Sequence, residues 1–235
     1  MTPNKHANLR LTAKLLPLVL PFMAKADIRY YLNGINVRPH QDGGAIITAT
    51  NGHALGAVHD RNAVCEHEVI LRFDSRMQQA CSAGLADERE VVMIGDRLAV
   101  VDKTGQEIYI QAGLPEIEGN FPRYERVIPK VDTLQPGLLG TYSASVLAPV
   151  EKAAVAASKQ GGAKTMFSGM QFFNVNGDPN ASAVIRLPIE PAFVGVLMPM
   201  REDAPKSATP PWVATMHAAA EAAAKAEAKQ ARRAA

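Results

Sequence analysis

The chain has little of what catalytic, secreted or membrane-bound proteins usually display. It holds only two cysteines, Cys65 and Cys81, in 235 residues, which excludes a disulfide framework and fits a reducing compartment. Cys65-Glu66-His67 taken with Cys81 follows no common zinc spacing and offers no fourth ligand, so no metal site is expected. Gly161-Gly162 lacks the Lys-Ser/Thr continuation of a phosphate-binding loop, no serine elbow occurs, and no carboxylate pair stands beside a histidine in a convincing context. No cofactor is implied, and the chain reads as non-enzymatic. Long apolar runs are missing too. Residues 15–24 are too short to span a bilayer and are interrupted by Pro17 and Pro21. Lys5, Arg10 and Lys14 ahead of that run, with Ala24-Lys25-Ala26 after it, imitate a secretory signal. We expect a cytoplasmic protein with no membrane partner.

What is present is ordinary in amount and uneven in placement. Hydrophobic residues make up 47% and charged residues 20%, enough for one large or two small globular domains. The net charge is only +2, yet the first 40 residues carry Lys5, Arg10, Lys14, Lys25, Arg29 and Arg38 against Asp27 alone. Such an excess either faces phosphate or is a solvated face.

Periodicity predicts a helix over 12–25, bent or restarted at Pro21. Short alternating segments follow at 30–37, 45–49, 55–59 and 69–73, each bounded by turn formers. Asp74-Ser75 predicts the cap of a helix reaching about Ser82, with strands at 90–94, 97–102 and 107–111 beyond it. Further on, a strand is expected at 138–140, a helix at 143–159 capped by Ser143 and distorted by Pro149, and a stop at Gly161-Gly162. Strands at 165–175, 183–187 and 193–200 complete the pattern, with turns at Asn51-Gly52 and Asn174. Residues 202–211 read as a Pro/Ser linker, and 212–235 as an Ala-rich helix, either solvated or a basic arm.

Four motifs occur in order: Arg29-Tyr30-Tyr31-Leu32-Asn33-Gly34, Ala49-Thr50-Asn51-Gly52-His53-Ala54-Leu55, the connector Phe121-Pro122-Arg123-Tyr124-Glu125-Arg126-Val127, and Val196-Leu197-Met198-Pro199-Met200-Arg201. Together they resemble the bacterial DNA polymerase III β subunit, the sliding clamp. The resemblance implies an α+β DNA-clamp fold of repeated βαβββ units, antiparallel sheets outside and helices on the inner face. Residues 1–130 would resemble the middle clamp domain, 131–201 the second half of the last domain, and 202–235 an added tail.

It also implies a processivity factor that holds duplex DNA without reading sequence, tethers DNA polymerase, serves other proteins with clamp-binding peptides, and meets a clamp loader as a homo-oligomer. An alternative is an adaptor or decoy that captures such peptides without encircling DNA. The partner-peptide pocket would use Leu32, Thr50, Gly52, His53, Leu55, Pro122, Arg126, Val127, Val196, Leu197, Met198, Pro199, Met200 and Arg201, with Leu197 a central apolar anchor. Lys14, Lys25, Arg29, Tyr30 and Tyr31 would face DNA. Val, Leu and Met suit a deformable apolar floor. An aromatic pair beside a cation suits stacking with phosphate contact, although strand alternation would turn one tyrosine to the core. Two departures stand out: Ala54 occupies a place where the family commonly has a basic residue, and the chain continues past Arg201.

Overall fold

Strand, helix and three further strands recur three times along the chain, and the exchange of first strands between repeats decides how they join. The structure, a computed structural model, describes residues 8–82, 88–160, 169–201 and 225. The first repeat contains β1 (Arg10–Thr12), α1 (Leu16–Val19), β2 (Ile35–Pro39), β3 (Ala45–Thr50) and β4 (Ala54–Asp60). In the second, β5 (Val69–Leu71) and α2 (Ser75–Ser82) precede β6 (Glu90–Ile94), β7 (Arg97–Val101) and β8 (Glu107–Ile110). The third comprises β9 (Leu134–Pro136), α3 (Ala144–Gln160), β10 (Gln171–Val175), β11 (Ala183–Leu187) and β12 (Glu190–Leu197).

Strand β1 leaves its own repeat to pair with β6, and β5 pairs with β2 in return. The third repeat keeps its first strand, since β9 pairs with β10. Two antiparallel sheets result, ordered β1-β6-β7-β8 and β5-β2-β3-β4-β12-β11-β10-β9. This is the α+β clamp architecture expected. The exchange is locked by Asp60, 1% exposed, whose carboxylate accepts hydrogen bonds from the Thr12 N–H at 2.7 Å and the Thr12 hydroxyl at 3.0 Å.

The core lies between the helices and the inward sides of both sheets. Leu16, Leu18 and Val19 of α1 meet Met77 and Cys81 of α2 and Val150, Ala153 and Ala157 of α3 in one buried cluster. The eight-stranded sheet is continuous because Gly56 of β4 stands opposite Gly195 of β12. A Cβ on Gly56 would come within 2.5 Å of the Phe22 ring, so only glycine lets that ring lie on the sheet, 6.0 Å from Phe193. On the outer side a second cluster gathers Leu32, Leu55, Ile70, Ile117, Phe121, Tyr124 and Val196 under the connector. Residues 1–201 form one compact unit, and 202–235 form another in which only Lys225, exposed and helical, is described.

Several local expectations are corrected. The 12–25 helix is a single α-turn flanked by 3-10 turns at Ala13–Leu15 and Leu20–Phe22, because Pro17 and Pro21 withhold donors. Residues 30–33 form a 3-10 turn, not the start of a strand. The strand expected at 138–140 lies instead at Leu134–Pro136. Asn174 sits within β10, where its amide donates to the carbonyls of Gln135, Pro136 and Gly137 and so holds the neighbouring turn from inside the strand. By contrast, Asp74 caps α2 as expected, accepting the Met77 N–H at 2.7 Å. Pro149 lies inside α3, which runs through it. The Gly161-Gly162 stop and the tail helix, Lys225 aside, fall outside the described residues.

Both thiols stand protonated. Burial pushes Cys81 up to about 12 and half-buried Cys65 up to about 11. No three His, Cys, Asp or Glu side chains among the described residues gather as a metal site.

Candidate functional site

A turn made rigid by its own side chains is the starting point of the site. Asn51 Oδ1 accepts the N–H groups of His53 and Ala54, both at 2.9 Å. Thr50 Oγ1 accepts the Gly52 N–H at 3.1 Å while its hydroxyl donates to the Ala54 carbonyl at 2.8 Å. Gly52 takes φ +88°, a conformation that favours glycine. The His53 carbonyl then receives the Met198 N–H at 2.9 Å, which fixes the end of β12 against the turn.

A second wall comes from the 3-10 turn after α1. The Asn33 side chain binds both main-chain groups of Asp27, and Asp27 in turn grips Arg29. Its carboxylate accepts the Arg29 N–H at 2.8 Å, Nε at 3.1 Å and Nη2 at 2.9 Å. These bonds hold the Asp27 carboxyl down to about 2. The guanidinium lies beside Gly52, where a Cβ would stand 3.0 Å from Nη2.

Because the folded carboxyl is depressed, the clasp is complete above the ordinary Asp value of 3.8 and opens only as pH falls through about 2. The Asp27 carboxyl, followed by carbon NMR, should titrate near pH 2. A midpoint near 3.8 would show that Arg29 is not held in solution.

The connector supplies the third wall. Arg38 in β2 pairs with Glu68 at 2.9 Å and with Glu125, and its guanidinium lies 5.1 Å from the Tyr124 ring centroid. The connector is thereby strapped to the outer face of the sheet.

These walls enclose a mainly apolar cavity of about 220 Å³. Leu32, Thr50, Gly52, His53 and Leu55 line it, together with Pro122 and Val127 from the connector and Val196 and Met198 from the last strand. Arg29, Tyr31, Ala54 and Tyr124 complete the lining. Four stretches distant in sequence therefore converge on one depression.

The other expected pocket residues lie elsewhere. Leu197 is 0% exposed and belongs to the core on the opposite side of β12. Met200 is exposed and pairs through its N–H with the Thr141 carbonyl. Arg126 and Arg201 are exposed, Pro199 is half-buried, and none of the three lines the cavity.

The expected DNA set divides in the same way. Arg29 and Tyr31 line the apolar cavity, and exposed Tyr30 stands edge-on to Tyr31 at 5.9 Å. Lys14 and Lys25 line a different cleft of about 590 Å³ between the helices. Lys152 and Lys159 of α3 line it too, with Glu151 the acidic member and Pro17, Leu20, Pro21 and Val155 among the apolar ones. Sequence reasoning missed these two lysines, although their spacing of seven places them on one helical face. It also missed Tyr124 as a pocket wall. No helix among the described residues is long and apolar enough to cross a membrane.

No family model and no curated protein sequence matches the chain. Solved structures do. A DNA polymerase sliding clamp from Pseudomonas aeruginosa, solved with a ligand, is 19% identical with a TM-score of 0.57, over 86% of this chain and 68% of that one. The DNA polymerase III β subunit of Thermotoga maritima is 14% identical with a TM-score of 0.56 over the same shares. A sliding clamp from Bartonella birtlesii bound to griselimycin is 18% identical, also at 0.56, covering 86% and 68%. The chain has the sliding-clamp fold.

Proposed function

We propose that this chain works as a clamp-like processivity factor in DNA replication, docking partner peptides in the 220 Å³ cavity and meeting DNA with the lysines between its helices. The convergence of four separate sequence motifs on one rigid apolar depression carries the reading. A cavity that small admits one or two apolar side chains, which is the demand of a short linear peptide rather than of a folded partner. Met198 gives the floor adaptability, and Arg29 and His53 stand at the rim to orient polar groups.

Lysines spread around an open cleft attract phosphate without reading bases, since each contact releases counterions and carries no sequence information. Catalysis has no part in this work, which is docking and tethering. The setting is the cytoplasm, and the partners are duplex DNA, a DNA polymerase, other proteins bearing clamp-binding peptides, and a clamp loader. We divide the body at residue 130, where the second repeat gives way to the third. The alternative reading, a peptide-capturing adaptor or decoy, is favoured by one observation: three βαβββ repeats leave β8 at the end of its sheet, with no strand beyond it among the described residues.

Retention on circular and linearised plasmid separates the two. A ring stays on the circle and slides off the linear form, whereas an adaptor is held by neither. In the ring case, Lys152→Glu with Lys159→Glu should shallow the salt dependence of DNA binding by about two counterions. An unchanged slope would remove the helical cleft from the DNA surface.

A further inference from the structure

Between the edge of the eight-stranded sheet and the third repeat, the chain crosses the outer face of the sheet without joining it. Residues 115 and 117 still pair beside β5: the Pro115 carbonyl accepts the Arg72 N–H at 2.7 Å, and the Ile117 N–H donates to the Ile70 carbonyl at 2.8 Å. Beyond them the main chain bonds to itself. The Arg126 N–H donates to the Arg123 carbonyl, and the Val127 and Ile128 N–H groups both donate to that of Tyr124. Among the described residues, no main-chain hydrogen bond from 118–128 reaches the sheet.

Side chains make the tie instead, and it begins on β2. Asn36, 0% exposed, donates its amide to Glu68 at 2.8 Å. The same Glu68 oxygen accepts Arg38 Nη2 at 2.9 Å, while Arg38 Nη1 donates to Glu125 on the connector. The guanidinium also lies over the Tyr124 ring. A planar fork suits this task, one arm to each carboxylate and its face on the ring. Its third nitrogen, Nε, is buried without a hydrogen-bond partner. That costs stability, and the bonds of the two outer nitrogens offset it only while the connector is in place.

Glu125 stands between the connector residues that face the apolar cavity. Pro122, Tyr124 and Val127 line it, whereas Arg38 does not. Arg38 reaches the cavity only through the segment it fastens.

We propose that Arg38 is a positioning residue for peptide docking, and that its strap makes the docking of even an uncharged peptide sensitive to salt. The inference rests on the docking reading of the 220 Å³ cavity. A wall already fixed when the peptide arrives avoids the ordering entropy that a loose wall would lose on binding. The strap is ionic and open to solvent, its side chains 26% exposed at Arg38, 43% at Glu68 and 52% at Glu125. Dissolved ions therefore weaken it. Docking inherits that weakness although no charge on the peptide takes part.

The test takes two readings on the full chain. Amide exchange at Val127 and Ile128 reports whether the connector is fastened. Docking is read by NMR titration with N-acetyl-leucyl-leucine amide, an uncharged probe carrying two apolar side chains. Arg38→Met should speed the exchange about five-fold and weaken the probe about three-fold, the scale of an exposed ion pair with a stacked ring. Glu125→Ala, at an exposed position, should do the same without risk to the fold. The double variant should be no worse than Arg38→Met alone. The wild-type advantage over Arg38→Met should shrink toward one between about 0.05 and 1 M sodium chloride. A loss through general destabilisation would not fade in this way.

Exchange and affinity that match between wild type and Arg38→Met overturn the proposal. So does a loss from Glu125→Ala that persists undiminished in the Arg38→Met background. A wild-type chain that takes up no probe at millimolar concentration overturns the docking reading and the positioning role with it. Faster exchange in Arg38→Met would then stand for the strap alone.

Discussion

Replacing Leu197 with serine should destabilise the fold by about 3–6 kcal/mol, combining the loss of a buried leucine with the burial of a hydroxyl. Leu197 is 0% exposed in the cluster that includes Phe22, Ile185 and Phe193. It also sits on β12, beside the seam that joins the third repeat to the first. A domain of ordinary stability has about 5–15 kcal/mol in total, so the variant should be partly unfolded at 37 °C. Chemical denaturation checks this. Should the variant keep its midpoint and lose only peptide binding, β12 would be shifted by one residue from the pairing described, turning Leu197 toward the pocket.

Met198→Asp should behave in the opposite way. Its side chain is 41% exposed and lines the cavity, so the core does not depend on it. A carboxylate there would be desolvated by any apolar side chain entering the pocket. Affinity for a clamp-binding peptide should fall by about 2–3 kcal/mol, roughly 30- to 150-fold, as for a central anchor. The denaturation midpoint should barely move, because exposed positions rarely shift stability by more than about 0.5 kcal/mol. Calorimetric titration of the peptide reads the effect. Undiminished affinity would take the pocket reading away. Together the two neighbours form an internal control, one residue buried in the core and the next lining the cavity.

That contrast also shows where sequence reading reached its limit. The strands at 45–50, 90–94 and 183–187 were legible as short, mainly apolar runs rich in β-branched residues between turn formers, and Asp74 announced α2 by its capping chemistry. The motif from Val196 to Arg201 was recognisable as a unit. Its two faces were not separated, because Val196, Leu197 and Met198 are all apolar and hydrophobicity alone does not assign parity within such a run.

Residues 30–33 misled for another reason. Tyr-Tyr-Leu-Asn imitates a strand start, but Asn33 holds Asp27 across six residues and winds the segment into a 3-10 turn. The same contact decides the place of Arg29. Its neighbour Asp27 lies outside the motif that drew attention, so the place of Arg29 in the cavity wall was not legible. The cleft lysines were hidden because α1 and α3 meet only in the folded chain.

The seam at Gly56 and Gly195 has a consequence in time. It pairs residues 54–58 with residues 193–197, among the longest-range contacts in the fold, and such contacts are made late and slowly. A ribosome delivers β4, the Asn51 turn and the connector well before β12. Until the last strand arrives, β4 has an unfilled edge and the depression lacks Val196 and Met198. A chain interrupted before Phe193 would thus expose a sticky strand and leave the depression without one of its walls. The depression is complete only in a finished molecule.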